Sequence, residues 1–241
     1  AEHPDVATSH NNIGMVLQAQ GNLPEALTQY RQALAIREKV FGAEHPDVAT
    51  SHNNIGSVLQ AQGNLPEALT QHRQALAIRE KVFGAEHPKV ALSHNNIGSV
   101  LQALGNLPEA LNQLRQALAI REKVFGAEHP DVAASHNNIG FVLQAQGNLP
   151  EALTQHRQAL AIREKVFGAE HPDVATSHNN IKYVLTSFPD SARRRQAAAH
   201  ACAALAIFQR FPQYRSRAED QSKWLHQNVR HVCAHCNEAK P

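Results

Sequence analysis

His231, Cys233, His235 and Cys236 fall within six positions near the end of the chain. Thiolate and imidazole are ligands that zinc prefers, so these residue types raise a metal reading. The spacing argues against it. A structural zinc site normally joins two ligand pairs across a loop, and the remaining cysteine, Cys202, is distant in sequence. The sixteen histidines carry no stronger signal, because most are copies of His3 and His10. No phosphate-cradling glycine loop, zinc-protease helix signature or nucleophile elbow is present. The acidic residues recur copy by copy, as surface charges would. The sequence therefore predicts no enzyme, no cofactor and no metal site.

The residues that do invite chemistry are amides. Asn11-Asn12-Ile13-Gly14 recurs letter for letter at 53–56, 95–98 and 137–140, and a fifth copy reads Asn179-Asn180-Ile181-Lys182. Asparagine is a poor helix former, yet the surrounding VATSHNNIGMVLQAQ keeps a helical rhythm. An amide is both donor and acceptor. A row of amides can pair with the C=O and N–H of a peptide whatever its side chains are.

The elements that carry this row repeat with a 42-residue period, without insertion, over 1–42, 43–84, 85–126 and 127–168. A fifth, divergent repeat covers 169–212, and 213–241 forms a C-terminal capping helix and tail. In the fifth copy the spacing grows by three, since Ile162 and Ile207 are 45 apart. Each unit reads as two helices. Pro4 suits an opening turn; Val6, Ile13, Val16 and Leu17 form the apolar stripe; Gly21 ends the first helix. Asn22 reads as the next N-cap, with Glu25 as capping-box partner. Ala26, Leu27, Tyr30, Ala33, Leu34 and Val40 line the second helix, which Gly42 closes in a left-handed conformation. Neither helix buries its stripe alone, so stacking is required. The prediction is an all-α solenoid of antiparallel helix pairs. Residues 191–211 read as a lengthened, basic second helix of the fifth copy, ended by Pro212. Trp224, Leu225, Val229 and Val232 read as the apolar face of the terminal helix.

Gly14, Leu17, Gly21, Ala26, Tyr30 and Ala33 together resemble the tetratricopeptide repeat. The 42-residue period, with HPDVA before NNIG and ALAIREKVFG at the end, is similar to the variant of kinesin light chains and many bacterial repeat proteins. The likeness covers 1–181. One departure is His10, His52, His94, His136 and His178, where the family commonly has a large aromatic. The resemblance implies a right-handed superhelix whose first helices line a concave groove that holds peptide segments. It also implies that an asparagine on this face grips the peptide backbone.

Only six of the 42 positions vary among the four full copies. Two lie seven apart on the first helix, hence on one face. They are Thr8, Thr50, Leu92, Ala134 and Thr176, and Met15, Ser57, Ser99, Phe141 and Tyr183. Asn12, Asn54, Asn96, Asn138 and Asn180 lie between them. This stripe is the predicted peptide-binding groove: the asparagines hold backbone and the varying positions set preference. An inter-repeat hydrogen-bond ladder is the alternative, preferred for the Asn11 series. Kinesin light chains take peptides with a tryptophan amid acidic residues. Here the stripe of copies one to four lacks Lys and Arg, and Lys182 is the first basic residue near it, so no acidic preference is carried over. Of the other varying positions, Tyr30, His72, Leu114 and His156 face the core, and Lys89, replacing Asp5, is a solvated loop change.

The expected partner is a protein or peptide. A structural spacer, or an array self-associating weakly through its repeat ends, is the alternative. Nucleic-acid contact through Arg193, Arg194 and Arg195 is a weaker one, because residues 183–241 carry nine Lys/Arg against four Asp/Glu. No apolar run of about 18 residues occurs, so no membrane partner is expected. Three cysteines do not make a disulfide framework, which favours a reducing, cytoplasmic setting. The start at Ala1, on a repeat boundary, fits a piece of a longer protein.

Overall fold

The computed structural model describes residues 3–228. The chain divides into two compact units, Ala1–Val124 and Phe125–Pro241. The first contains α1 (Pro4–Ala19), α2 (Leu23–Phe41), α3 (Pro46–Ala61), α4 (Leu65–Phe83), α5 (Pro88–Ala103) and α6 (Leu107–Phe125), whose end marks the division. The second contains α7 (Pro130–Ala145), α8 (Leu149–Phe167), α9 (Pro172–Thr186), α10 (Ser191–Phe208) and α11 (Arg215–Asn228). A short 3-10 turn, Pro212–Tyr214, precedes α11. No strand occurs among the described residues. His231, Cys233, His235, Cys236, Val229 and Val232 lie outside them.

Each first helix starts at its proline, as the sequence predicts. The cap is a histidine: Nδ1 of His3, His45, His87, His129 and His171 accepts the N–H two residues on, at 3.1–3.3 Å. Each of these rings but His3 also stacks on the preceding phenylalanine, as Phe41 does on His45 with centroids 4.4 Å apart. Asn22 occupies the next N-cap position, but its side chain makes no backbone cap. Its Nδ2 donates to the Glu25 carboxylate instead, and Asn64 does the same to Glu67 at 2.7 Å. Asn148 does accept the Glu151 N–H, at 3.4 Å. Gly42 has φ 84° and ψ 157°. That is the extended positive-φ region open essentially to glycine alone, not the left-handed helical conformation expected.

Within the first unit α1 packs on α2, α2 on α3, α3 on α4 and α4 on α5; within the second the same succession runs from α7 to α11. Short turns make each pair antiparallel. The core is built from small residues, which fits the scarcity of aromatics. Ala26, Ala33, Ala68 and Ala75 are fully buried, as are Val58 and Val100. Ile55 and Leu59 join Tyr30 in the cluster between the first two pairs. In the first copy the matching Ile13 and Val16 are 48% and 57% exposed. Val40 and its copies Val82, Val124 and Val166 are exposed, contrary to their expected core role. The buried side of the helix end is taken by Arg37 instead.

The glycine of NNIG has a steric reason. A Cβ on Gly14 would come within 2.8 Å of the Tyr30 ring, and on Gly56 within 2.9 Å of His72. On Gly98 it would meet Leu114 at 2.8 Å, and on Gly140 it would meet His156 at 2.7 Å. All four facing side chains are buried, as expected. In the fifth copy Lys182 replaces the glycine, and the register shift puts buried Ala201 where His156 stands in the fourth. Small and large have exchanged sides. α10 has 18 residues against 19 for its counterparts, so it is not lengthened, and it ends at Phe208.

Candidate functional site

The stripe predicted from sequence reaches solvent in both units. On α1, Thr8, Asn12 and Met15 are exposed; on α3, Thr50, Asn54 and Ser57 are half-buried; on α5, Leu92 is exposed and Asn96 and Ser99 are half-buried. In the second unit Ala134 and Asn138 are half-buried beside exposed Phe141, and Thr176 and Asn180 beside exposed Tyr183. The hydroxyls of Thr8, Thr50 and Thr176 donate to the carbonyl four residues back, at 3.1–3.2 Å.

The two asparagines of each copy have different tasks. Asn54 Nδ2 donates to Asn11 Oδ1 of the preceding copy at 2.9 Å, and Asn96 Nδ2 to Asn53 Oδ1 at 2.8 Å. This is the ladder expected for the Asn11 series, and the second asparagine supplies its donors. Asn54 and Asn96 each give one amide hydrogen to it. Their Oδ1 atoms accept no hydrogen bond among the described residues. Gln60 Nε2 adds a second tie between copies, donating to Ser99 Oγ at 3.0 Å. In the second unit Asn137 is buried. With its amide turned to suit its neighbours, Oδ1 accepts from the Arg163 guanidinium at 3.0 and 3.1 Å, and Nδ2 donates to His156 Nδ1 at 2.9 Å. In that orientation the rung from Asn180, 3.4 Å in the other, is lost.

The histidines early in the first helices tie each pair together. Nδ1 of His10, His52, His94 and His136 lies 2.7 Å from the Oε1 of Gln29, Gln71, Gln113 and Gln155. In the fifth copy His178 meets His200 at 2.8 Å. Burial lowers the pKa of His178. His200 is pushed down to about 4 by burial and by the charges of His178 and Arg157. His72 and His156 are also pushed to about 4, by burial and then by Arg79 and Arg163 respectively.

Lys182 is not a groove residue. It is 1% exposed, its Nζ donates to Gln221 Oε1 at 2.9 Å, and it sits 4.1 Å from the centre of the Tyr183 ring. Burial lowers its pKa to about 8, with Asp220 opposing. Gln221 Nε2 donates to Asn179 Oδ1 at 2.6 Å. α11 thus supplies a glutamine where another repeat would supply an asparagine. Arg217, also on α11, brings a cation to the stripe: its Nη1 lies 3.4 Å from Thr176 Oγ1. It lines a cavity of ≈ 330 Å³ with Thr176, Asn180, Tyr183, Asp220 and Gln221.

Sequence reasoning missed three inward-facing arginines, Arg37 and Arg79 buried and Arg163 half-buried. Arg37 Nη1 donates to Ser51 Oγ at 2.7 Å and Asp47 O at 3.3 Å. Arg79 repeats this with Ser93, and Arg163 with Ser177. Each clasps the next pair, and burial lowers the pKa of all three. An arginine three residues after the last apolar contact, in register with a helical serine fourteen residues on, was the available signal. Of the basic candidates, Arg193 is paired with Asp190 and stacked on Phe188, while Arg194 and Arg195 are exposed. No group of three or more His, Cys, Asp or Glu that could hold a metal occurs among the described residues. No described helix is long and apolar enough to cross a membrane.

The model of the tetratricopeptide repeat family matches four overlapping stretches, 5–81, 47–123, 89–165 and 131–210. The chain belongs to the tetratricopeptide repeat family. Its repeats are of the kinesin-light-chain-like type. A Podosopora anserina kinesin light chain crystal structure with nearly identical TPR-like repeats is similar at 29% identity and a TM-score of 0.75. That likeness covers 88% of this chain and 99% of the other. A point variant of the same protein is similar at 27% identity over the same shares, with a TM-score of 0.76. BtubC (BKLC) from P. vanneervenii shares the fold at 20% identity and a TM-score of 0.68, over 96% and 86% of the two chains. No curated protein matches. Tetratricopeptide repeats generally mediate protein–protein interaction or scaffolding, and the fold is typically not enzymatic.

Proposed function

We propose that this tetratricopeptide array captures peptide segments of partner proteins on the stripe of its first helices. The asparagines of the Asn12 series hold the peptide backbone, and the Thr8 and Met15 series set preference. One observation carries the reading. Asn54 and Asn96 are fixed by one amide hydrogen in the ladder while their oxygens accept nothing among the described residues. An acceptor held in place before the ligand arrives loses little freedom on binding. In the first unit the neutral, partly apolar flanks suit a peptide rather than a polyanion. The setting proposed for this activity is the cytoplasm.

The same ladder favours a second reading, a spacer in which the asparagines only fix stacking. A random-peptide binding screen separates the two. It compares the chain with an Asn54→Ala, Asn96→Ala, Asn138→Ala variant whose helicity is checked by circular dichroism. Enrichment on the chain, lost on the folded variant, is the expected result. Equal enrichment on both, or none on either, gives the spacer reading precedence.

A further inference from the structure

The first unit carries enough geometry to specify the ligand further, and this inference rests on the peptide reading above. Three features combine. The first is the asparagine row across α1, α3 and α5, in which Asn54 and Asn96 are tied to the preceding copies at 2.9 and 2.8 Å. The second is the pair of flanks. One row holds Thr8, Thr50 and Leu92, the other Met15, Ser57 and Ser99. They lie four residues before and three after the asparagine on each helix, on the same face. The third is what the flanks expose. Each has one large apolar side chain, Met15 at 55% and Leu92 at 40% exposure, and the rest are hydroxyls. None of these residues is charged.

An extended peptide whose N–H and C=O groups meet the asparagine row must turn its side chains sideways, because in a strand they stand perpendicular to the hydrogen-bonding direction. Alternate side chains then fall on opposite flanks. Met15 is on one flank in the first copy, and Leu92 is on the other in the third. The Asn54–Asn11 and Asn96–Asn53 hydrogen bonds hold successive first helices within side-chain reach, and at a spacing of about 8–10 Å two intervals span about 16–20 Å. At about 3.3 Å per residue this is about five to six residues of extended chain. Only an odd separation puts two side chains on opposite flanks, which selects five.

We infer that the first unit recognises an uncharged extended segment bearing two apolar side chains five residues apart, with four small or polar residues between them. One apolar side chain lies against Met15 and the other against Leu92, in either chain direction. The hydroxyls of Ser57 and Ser99 and of Thr8 and Thr50 line the positions between, where a bulky apolar group finds no apolar neighbour.

The test uses the full chain and fluorescein-labelled, Ser/Thr-based peptides carrying two leucines at separations of three to seven. Affinity is read by anisotropy. The same series is run on Met15→Ser and Leu92→Thr, each of which installs the residue that another copy carries at that position, so the fold is kept. The expected result is tightest binding at separation five, with about tenfold loss in either variant, the scale of one buried apolar contact. Binding that ignores separation, or that neither variant weakens, overturns this inference and leaves peptide capture standing. If no peptide binds and the random screen is also empty, peptide capture itself fails, and this inference with it.

Discussion

His72→Leu should stabilise the protein, and more so as the pH falls. His72 is 1% exposed, and neither of its ring nitrogens has a hydrogen-bond partner. A buried polar group left unsatisfied costs about 1–3 kcal/mol. The third copy already holds leucine at this position: Leu114 is equally buried against Gly98. The substitution therefore fits a space that the repeat is known to fill with leucine, and a gain of about 1–3 kcal/mol at pH 7 follows. The pH dependence has a definite sign. His72 is held at about 4 when folded against 6.5 when free. Between those values the unfolded chain binds more protons, so stability is full above 6.5 and falls as the pH drops towards 4. At about 1.4 kcal/mol per pKa unit, this shift corresponds to about 3 kcal/mol as an upper bound. The advantage of His72→Leu should widen by up to that amount between pH 7.5 and pH 4. Urea unfolding followed by circular dichroism at a series of pH values measures it. A variant less stable at pH 7, or an advantage that stays constant down to pH 4, would refute the reasoning.

Three further outcomes follow from the same geometry. Gly56→Ala places a methyl 2.9 Å from the His72 ring and should cost about 1–3 kcal/mol; thermal melts that match the parent would contradict the contact. Ser93→Ala removes the side-chain acceptor of buried Arg79 and should cost about 1–3 kcal/mol, whereas Ser9→Ala on exposed α1 should change little; equal effects would sink the clasp. Lys182, held at about 8 against 10.5 when free, should make the chain gain stability from pH 8 to 10 relative to Lys182→Met, because the unfolded state binds the extra proton over that range. Parallel pH profiles of the two would show that Lys182 is not held in the interior.

The period, the helix pairs and the stripe were legible because they depend on spacing alone. Pro4, Gly21 and the Val6–Ile13–Leu17 rhythm mark elements whatever packs on them. Partner chemistry was not legible. The histidine at position 3 looks like any loop residue until its ring accepts the Asp5 N–H, and Asn22 has the letters of a capping box while its amide pairs with the Glu25 side chain. Val40 has the right period for a core residue but loses the buried side to Arg37. Lys182, a basic letter next to the groove, points inward, where Gln221 Oε1 accepts its hydrogen bond. The asparagines show both sides of this. Their face was fixed by spacing, but that Asn54 and Asn96 each give one hydrogen to the preceding copy and keep their oxygens clear required coordinates.

The central claim is that the oxygens and remaining amide hydrogens of the asparagine row bind peptide backbone. Side-chain amide NMR of the full chain, titrated with a peptide enriched in the screen, tests this most directly. The account predicts that the Nδ2 resonances of Asn54 and Asn96 shift with the binding isotherm, while those of Asn22 and Asn64, at the helix starts away from the stripe, stay in place. Saturable binding that leaves Asn54 and Asn96 unmoved would contradict it.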